Sequence, residues 1–195
     1  MTRAIAAVES EERQRRNGHR SAVVWLTGLS AAGKSTIARG VEAALFARGV
    51  QVYGLDGDDL RRGLCRDLGF SPEDRSENLR RVGELAAVLA DAGLVVIASF
   101  ISPYRRERAT AGAAAVPAPF IEVFVDCPLD ECVRRDPKGL YLRALSGELP
   151  EFTGVSAPYE PPERPQIHLR TDRLPVVQSV DLVVQYLEQT GILTR

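Results

Sequence analysis

The sequence predicts a doubly wound α/β fold, in which a parallel β-sheet carries helices on both faces. Short, nearly continuous apolar runs recur along the chain, as in strands that are buried on both faces of a sheet. Amphipathic segments of helical period separate these runs, so successive strands are expected to run parallel through right-handed crossovers. The chain has 195 residues, of which 45% are hydrophobic, and this suits one domain with its own core.

The elements follow one another in a regular order. Residues 1–20 are charged and mildly amphipathic, and we expect a helical arm there that precedes a domain over residues 21–195. The predicted strands lie at residues 22–27, 50–55, 94–99, 120–125 and 166–169. The predicted helices lie at residues 35–48, 71–92 and 104–115, and the last is a segment whose inward residues are Val176, Val180, Val183 and Leu187.

Small residues and proline mark the ends of these elements. Gly49 and Gly93 are expected to end the two helices before them, and Ser71 with Pro72 predicts the start of the longer one. Residues 136–165 are rich in glycine, proline and charge and have little periodicity. A segment of that length inside a compact domain is usually a lid or a binding loop, so we expect a mobile lid.

Composition and charge exclude several classes of protein. Lys and Arg (25) balance Asp and Glu (26), so the net charge is −1 and no global field attracts nucleic acid or an anionic membrane. The apolar runs fall short of the roughly 18 residues of a membrane helix, and acidic residues stand where a signal peptide needs apolar ones. Cys65, Cys127 and Cys132 are odd in number and lack metal-ligand spacing, which favours reduced thiols and a cytoplasmic location.

The most specific pattern lies between the first predicted strand and the first predicted helix after it. GLSAAGKS at residues 28–35 matches G-x-x-x-x-G-K-[ST] in the strand–loop–helix setting that this motif requires. Small residues let backbone N–H groups turn toward one point, and the helix N-terminus adds partial positive charge. Lys34 is then placed to reach the outer phosphates of a nucleotide, and Ser35 to ligate Mg²⁺. No Asn/Thr-Lys-x-Asp base-reading motif follows, which disfavours a GTPase.

Two carboxylates follow the second strand, at the edge where open parallel sheets bind their ligands. Alternation along a strand predicts that Asp56 and Asp58 both face the cleft. We expect Asp56 to be held by backbone or arginine partners, and Asp58 to reach a metal-bound water and an incoming hydroxyl. A solvated turn is the alternative interpretation.

An aromatic ring, guanidinium groups and an amide come next. Arg75 and Asn78 are three apart on a predicted helix, so both can meet one ligand. Together with Phe70 and Arg61 they suit an adenine nucleotide that carries an anionic tail. A charged helix start that only meets water is the alternative. SFISPYR at residues 99–105 adds a hydroxyl and an arginine at the same rim.

These motifs together resemble those of the adenylylsulfate kinases, the P-loop enzymes that phosphorylate the 3′-hydroxyl of adenosine 5′-phosphosulfate (APS). The shared stretches are GLSAAGKST at 28–36, LDGD at 55–58, GFSPEDRSEN at 69–78, SFISPYR at 99–105, DPKGLY at 136–141, FTG at 152–154 and PYEP at 158–161. They run in family order over nearly the whole chain, from about residue 17 onward.

The resemblance implies a P-loop kinase fold with ATP as co-substrate, and Mg²⁺ as the cofactor, held by Ser35 and Asp58. It implies catalytic roles for Asp58 and Lys34 and puts Ser102 at a position that is a phosphoserine in the family. The implied ATP-binding residues are Gly28, Leu29, Ser30, Ala31, Ala32, Gly33, Lys34, Ser35 and Thr36. The implied APS-binding residues are Arg61, Phe70, Arg75, Asn78, Ser99, Phe100, Ile101, Lys138 and Phe152, with Phe152 closing over the adenine opposite Phe70.

The resemblance also implies a homodimer and association with an ATP sulfurylase. Two other functions stay open: a P-loop kinase of another small alcohol or sugar, and an inactive APS-binding regulatory module. An uncharged acceptor has no need of the Arg75 and Asn78 pair. An inactive module gains nothing from keeping Lys34, Ser35 and Asp58.

Overall fold

The structure, a computed structural model, describes residues 8–193. Its centre is a five-stranded sheet of order β2-β3-β1-β4-β5, in which every neighbouring pair is parallel. The strands are β1 (Ala22–Thr27), β2 (Val52–Asp56), β3 (Val95–Ser99), β4 (Phe120–Asp126) and β5 (Ile167–Arg170). Each strand overlaps a predicted one, and the parallel sheet with helices on both faces confirms the predicted fold class.

The helices of the described residues are α1 (Ser10–Asn17), α2 (Lys34–Phe46), α3 (Gly57–Arg62), α4 (Pro72–Asp91), α5 (Arg105–Ala115), α6 (Leu129–Arg135), α7 (Leu140–Leu145) and α8 (Val176–Gln189). The sequence predicts α2, α4, α5 and α8, and it places α1 within the expected arm. It does not predict α3, α6 or α7, because six or seven residues are too few for a helical period to stand out. The segment of residues 136–165, expected to be irregular, therefore contains one short helix.

The predicted ends of helices are confirmed by their geometry. The Ser71 hydroxyl accepts a hydrogen bond from the Asp74 N–H at 3.1 Å, and Pro72 is the first residue of α4. Gly93 follows α4 with a φ of +95°, and Gly49 follows α2 with a φ of +77°. Glycine adopts this left-handed region at no steric cost, which explains why both helices end there.

Two apolar layers cover the sheet. Every residue of β1 is buried, because α2 and α8 pack on one face of the sheet while α4 and α5 pack on the other. Val183 and Leu187 of α8 lie in the core as predicted, but Val176 is 46% exposed. That prediction is wrong because Val176 is the first residue of α8, at the exposed end of the helix.

The arm and the cysteines complete the description. The Asn17 side chain donates a hydrogen bond to the Gly93 carbonyl at 3.0 Å, which docks the end of α1 on the body of the fold. Residues 1–7 of the expected arm lie outside the described residues. Cys65, Cys127 and Cys132 are buried and free, which confirms the reduced thiols. Within residues 8–193, no helix has the length and apolarity needed to cross a membrane.

The sheet register brings the site residues to one edge. Asp56, the last residue of β2, pairs with Ser99, the last residue of β3, and Ser99 in turn pairs with Leu26 of β1. The phosphate loop leaves β1 directly after Thr27. The carboxyl ends of three neighbouring strands therefore meet at the start of α2, as doubly wound sheets require of a ligand site.

Candidate functional site

The loop of residues 28–36 has the backbone of a phosphate cradle. Gly28, Ala31 and Gly33 have φ values of +154°, +59° and +102°. A Cβ at Gly28 would lie 2.3 Å from the Val125 carbonyl oxygen, so this close approach to β4 requires glycine. Gly33 caps α2 and has no side chain to bond the first-turn N–H groups, which leaves them for an anion.

Lys34 is the buried cation of this cradle. Its ammonium group donates a hydrogen bond to the Leu29 carbonyl at 2.8 Å, across the loop. Burial lowers the pKa of Lys34 to about 8, although the carboxylates of Asp56 and Asp58 act in the opposite direction. The ammonium group thus lies in the field of both predicted carboxylates, and it gains charge stabilisation when an anion enters the loop.

Asp56 is the carboxylate nearest to the loop. It accepts hydrogen bonds from the Ser99 hydroxyl at 3.1 Å and from the Asp58 N–H at 3.0 Å, and the nearby Ser35 hydroxyl also stabilises its charged form. Burial raises the pKa of Asp56, but these hydrogen bonds outweigh burial and hold it below its usual range. The backbone partner that we expected of Asp56 is confirmed, and its contact with Ser35 was not predicted.

Asp58 lies elsewhere than the strand pattern predicts. It belongs to the first turn of α3, because Asp56 ends β2 and caps that helix. The expectation that two strand residues point the same way is therefore wrong. The Asp58 side chain is 68% exposed and forms an ion pair with Lys138 from the segment of residues 136–165. Asp58 and Lys138 thus face each other, whereas Asp56 is the carboxylate beside Ser35.

Arg61 and Phe70 lie together at the far end of α3. The Arg61 guanidinium lies 4.3 Å from the centroid of the Phe70 ring and donates a hydrogen bond to the Gly69 carbonyl at 2.7 Å. Phe70 is 68% exposed, so its ring offers a face to a ligand. Phe152 is not on that ring: it packs edge-on against Tyr141 with the centroids 5.1 Å apart.

Arg75 and Asn78 share α4 and lie beside this aromatic group. Arg75 donates to the Phe70 carbonyl at 2.9 Å and to the Thr153 hydroxyl at 3.3 Å. Asn78 is 5% exposed, and its Oδ1 is buried with no hydrogen-bond partner in the described part of the chain. A buried acceptor without a donor costs free energy, so this oxygen favours a ligand that brings an N–H or O–H group.

Buried side chains fix the rim of residues 99–102 by hydrogen bonds to Ser102. Ser102 is 2% exposed, and its hydroxyl accepts a hydrogen bond from the Trp25 indole N–H at 3.0 Å. The buried Arg108 donates to the Ser102 carbonyl at 2.7 Å and pairs with Glu122 at 2.6 Å. Sequence reasoning missed Arg108, because RRER at residues 105–108 does not reveal which arginine turns inward.

Tyr141 and Thr153 of the segment 136–165 were also missed as site residues. Tyr141 is fully buried and donates a hydrogen bond to the Ser30 carbonyl of the phosphate loop at 3.1 Å. Thr153 is buried and accepts the hydrogen bond of Arg75. The available signal was that both lie within motifs of this segment, DPKGLY and FTG.

Comparisons with known proteins show the family to which the chain belongs. The family model described as adenylylsulphate kinase matches residues 20–170. The chain is 52% identical over 182 residues to the adenylyl-sulfate kinase of Staphylococcus epidermidis, covering 93% of this chain and 92% of that protein. It is 51% identical over 187 residues to the adenylyl-sulfate kinase of Yersinia pestis, covering 96% of this chain and 87% of that protein.

Solved structures give the same result. The APS kinase of Mycobacterium tuberculosis, solved in complex with AMPPNP and APS, is 47% identical, with a TM-score of 0.83 over 87% of this chain and 99% of that chain. A gluconokinase from Sinorhizobium meliloti, at 18% identity and a TM-score of 0.55, shares the fold alone. The chain belongs to the adenylylsulfate kinase family.

Proposed function

We propose that the chain transfers the γ-phosphoryl group of ATP to the 3′-hydroxyl of APS at the cleft above β1, β2 and β3. ATP is assigned to the loop of residues 28–36, and APS to the group formed by Arg61, Phe70, Arg75 and Asn78 with the rim of residues 99–101. Membership of the adenylylsulfate kinase family supports both substrates.

One observation carries this proposal: α3 joins the two pockets. Asp58 lies in its first turn, in the field of Lys34, and Arg61 lies in its last turn against Phe70. Three residues of helix span roughly 5 Å, so a carboxylate stands between the phosphate loop and the aromatic pocket. An adenine nucleotide on Phe70 would then present its ribose toward Asp58.

The chain's own groups have separate tasks in this transfer. Lys34 and the first-turn N–H groups of α2 compensate the charge of the triphosphate. Asp58 aligns the acceptor hydroxyl and takes its proton late in transfer. Arg61 and Arg75 compensate the anionic tail of APS, and the Asn78 oxygen accepts a hydrogen bond from an N–H or O–H group of the adenosine part of APS. Lys138 leaves Asp58 when the substrates enter, and its charge becomes available to phosphate.

The donors beside the loop also fit Mg²⁺. The Ser35 hydroxyl and the Asp56 carboxylate lie side by side, and Mg²⁺ takes oxygen ligands of these types. Ser35 would hold the ion directly, with Asp58, and Asp56 would support it from β2. The ion supplies charge neutralisation on the transferred phosphate.

The experiment that tests this function is a coupled assay of ADP release with APS, glucose, glycerol and no acceptor. Turnover with APS that exceeds the others by about 10³-fold or more supports the proposal, since an ionic pocket rejects an uncharged acceptor. Equal or better turnover with an uncharged alcohol would favour the rival sugar or alcohol kinase. Binding of AMPPNP and APS without turnover would favour the inactive regulatory module.

Asp58→Asn separates catalysis from binding, because it keeps the shape of the side chain and removes its charge. We expect kcat to fall by about 10²- to 10⁴-fold with little change in the Kd for APS. Asp56→Asn serves as the matched variant, and we expect it to act through MgATP binding and stability. If Asp56→Asn instead loses kcat selectively, the roles of the two carboxylates are reversed.

Four further points stay predictions of the family resemblance and the sequence: a homodimer, association with an ATP sulfurylase, a cytoplasmic location, and the division at residue 20 into arm and kinase domain. Light scattering of the purified chain tests whether it is a homodimer. Co-purification with an ATP sulfurylase tests whether the two proteins associate.

A further inference from the structure

Tyr141 joins the segment of residues 136–165 to the phosphate loop. It lies in α7, its side chain is fully buried, and its hydroxyl donates to the Ser30 carbonyl at 3.1 Å. Burial raises the pKa of Tyr141 above the usual range, so the hydroxyl keeps its proton and acts as a donor. The phosphate loop is therefore held from outside by a side chain that does not belong to its motif.

This hydrogen bond fixes the direction of a peptide group. A peptide bond is planar and trans, so a carbonyl held on one side turns the N–H of the next residue to the opposite side. The next residue is Ala31, whose φ is +59° and whose N–H has no hydrogen-bond partner within residues 8–193. Tyr141 thus sets the direction of one N–H group of the phosphate cradle.

The other face of Tyr141 leads to the APS pocket. Its ring meets Phe152 edge-on at a centroid distance of 5.1 Å, and Thr153, the next residue, accepts the hydrogen bond from Arg75 at 3.3 Å. Gly154 touches the loop again, since a Cβ there would lie 2.9 Å from the Leu29 side chain. Residues 152–154 therefore contact the pockets proposed for both substrates.

We propose that Tyr141 is a positioning residue that orients the Ser30–Ala31 peptide for phosphate and, through Phe152 and Thr153, couples the ATP loop to Arg75 in the APS pocket. A ligand on Arg75 that orders Thr153 and Phe152 also orders Tyr141, and the loop then needs less ordering to bind phosphate. The inference rests on the proposed function, because it assigns the two pockets to ATP and APS.

The test is a set of binding titrations on the full chain. The Kd of AMPPNP is measured by calorimetry without APS and with saturating APS, and the ratio of the two values is the coupling factor. AMPPNP cannot transfer its terminal group in this assay, so both ligands stay intact. Tyr141→Phe removes the hydroxyl and keeps the ring, while Phe152→Leu removes the edge-on contact and keeps the hydroxyl. Tyr186→Phe, which changes a half-buried tyrosine of α8, is the matched control.

We expect the wild type to bind AMPPNP more tightly when APS is present. Tyr141→Phe should weaken AMPPNP alone by about 2- to 12-fold, the range of one neutral hydrogen bond. Both site variants should bring the coupling factor close to 1, and Tyr186→Phe should leave it at the wild-type value. A variant that only loosened the fold would lower the unfolding temperature and leave the coupling factor unchanged.

Failure of the proposed function and failure of the role proposed for Tyr141 give different results. Wild-type protein that binds neither AMPPNP nor APS refutes the proposed function. Wild-type protein that binds both, with a Tyr141→Phe variant of unchanged AMPPNP affinity and unchanged coupling factor, refutes the role of Tyr141 alone.

Discussion

Ser102→Ala is the substitution whose outcome the structure defines best. Ser102 stands where the family resemblance places a phosphoserine, yet its side chain is 2% exposed and its hydroxyl accepts a hydrogen bond from the Trp25 N–H. Direct in-line transfer between bound substrates needs no covalent serine. We therefore expect the variant to lose stability and to keep most of its kcat.

The size of the loss follows from the Trp25 indole. Trp25 is fully buried between the rings of Phe100 and Phe120, so its N–H finds no water when the Ser102 oxygen is removed. A buried donor left without an acceptor costs about 1–3 kcal/mol in the free energy of unfolding. For a domain of this size that corresponds to a fall in Tm of about 2–12 °C. The Arg108 bond is kept, because it goes to the Ser102 carbonyl.

Chemical denaturation and steady-state kinetics on the same preparation measure both effects. Trp25→Phe removes the indole N–H, and the double variant Trp25→Phe/Ser102→Ala leaves neither partner of the hydrogen bond unpaired. A double-mutant cycle of these variants therefore separates the free energy of the hydrogen bond from the cost of the lost ring volume. We expect the double variant to be more stable than the sum of the two single losses predicts. Unchanged stability of Ser102→Ala would refute the reasoning about Trp25. A complete loss of kcat in Ser102→Ala, with phosphate recovered on Ser102 of the wild type, would establish a phosphoenzyme.

Three other perturbations test the two pockets. Because the pKa of Lys34 is lowered to about 8 and a bound triphosphate raises it, AMPPNP binding should take up protons and weaken as the pH rises above 8, which calorimetry in buffers of different ionisation enthalpy measures. The unfolded chain keeps the ordinary lysine pKa and binds more protons between pH 8 and 10.5, so the Lys34 contribution to the free energy of unfolding should rise with pH over that range; a Lys34→Met variant lacks both effects. Arg75→Ala should raise the KM for APS more than that for ATP, by about 1.5–3 kcal/mol in apparent binding, and equal effects on both would remove Arg75 from the APS pocket. Gly28→Ala should abolish nucleotide binding in protein that still folds, because the new Cβ displaces the loop from the Val125 carbonyl; normal AMPPNP affinity would contradict the close approach.

The sequence predicts the strands and the long helices well because their signals are local. β1 is apolar throughout, and α4 combines a serine cap, a proline at its first position and a stop at Gly93. The role of Asp58 was harder to predict because two local rules compete there. An Asp-Gly-Asp sequence fits strand alternation, but Asp56 also caps a helix, and the cap turns the chain into α3 before Asp58 is reached.

The hydrogen bonds that support the site could not be predicted from the sequence, because they join residues that are far apart along the chain. Tyr141 bonds Ser30 across 111 residues, and Arg108 bonds the Glu160 carbonyl across 52. No sequence pattern around Tyr141 or Arg108 predicts which residue it contacts. In the sequence, a buried arginine looks the same as its exposed neighbours. Such contacts depend on how the segment 136–165 folds back over the sheet.

The stacking of Arg61 on Phe70 has a consequence for selectivity. Any ring that settles on this face must first displace the guanidinium, and a contact of this kind at an exposed site is worth about 0.5–1 kcal/mol. A neutral nucleoside brings the displaced guanidinium no charged partner to add to the Gly69 carbonyl that it already bonds, whereas a ligand with an anionic tail brings one. In the proposed APS pocket, Arg61 would therefore favour charged derivatives of adenosine over adenosine itself, before any chemistry begins.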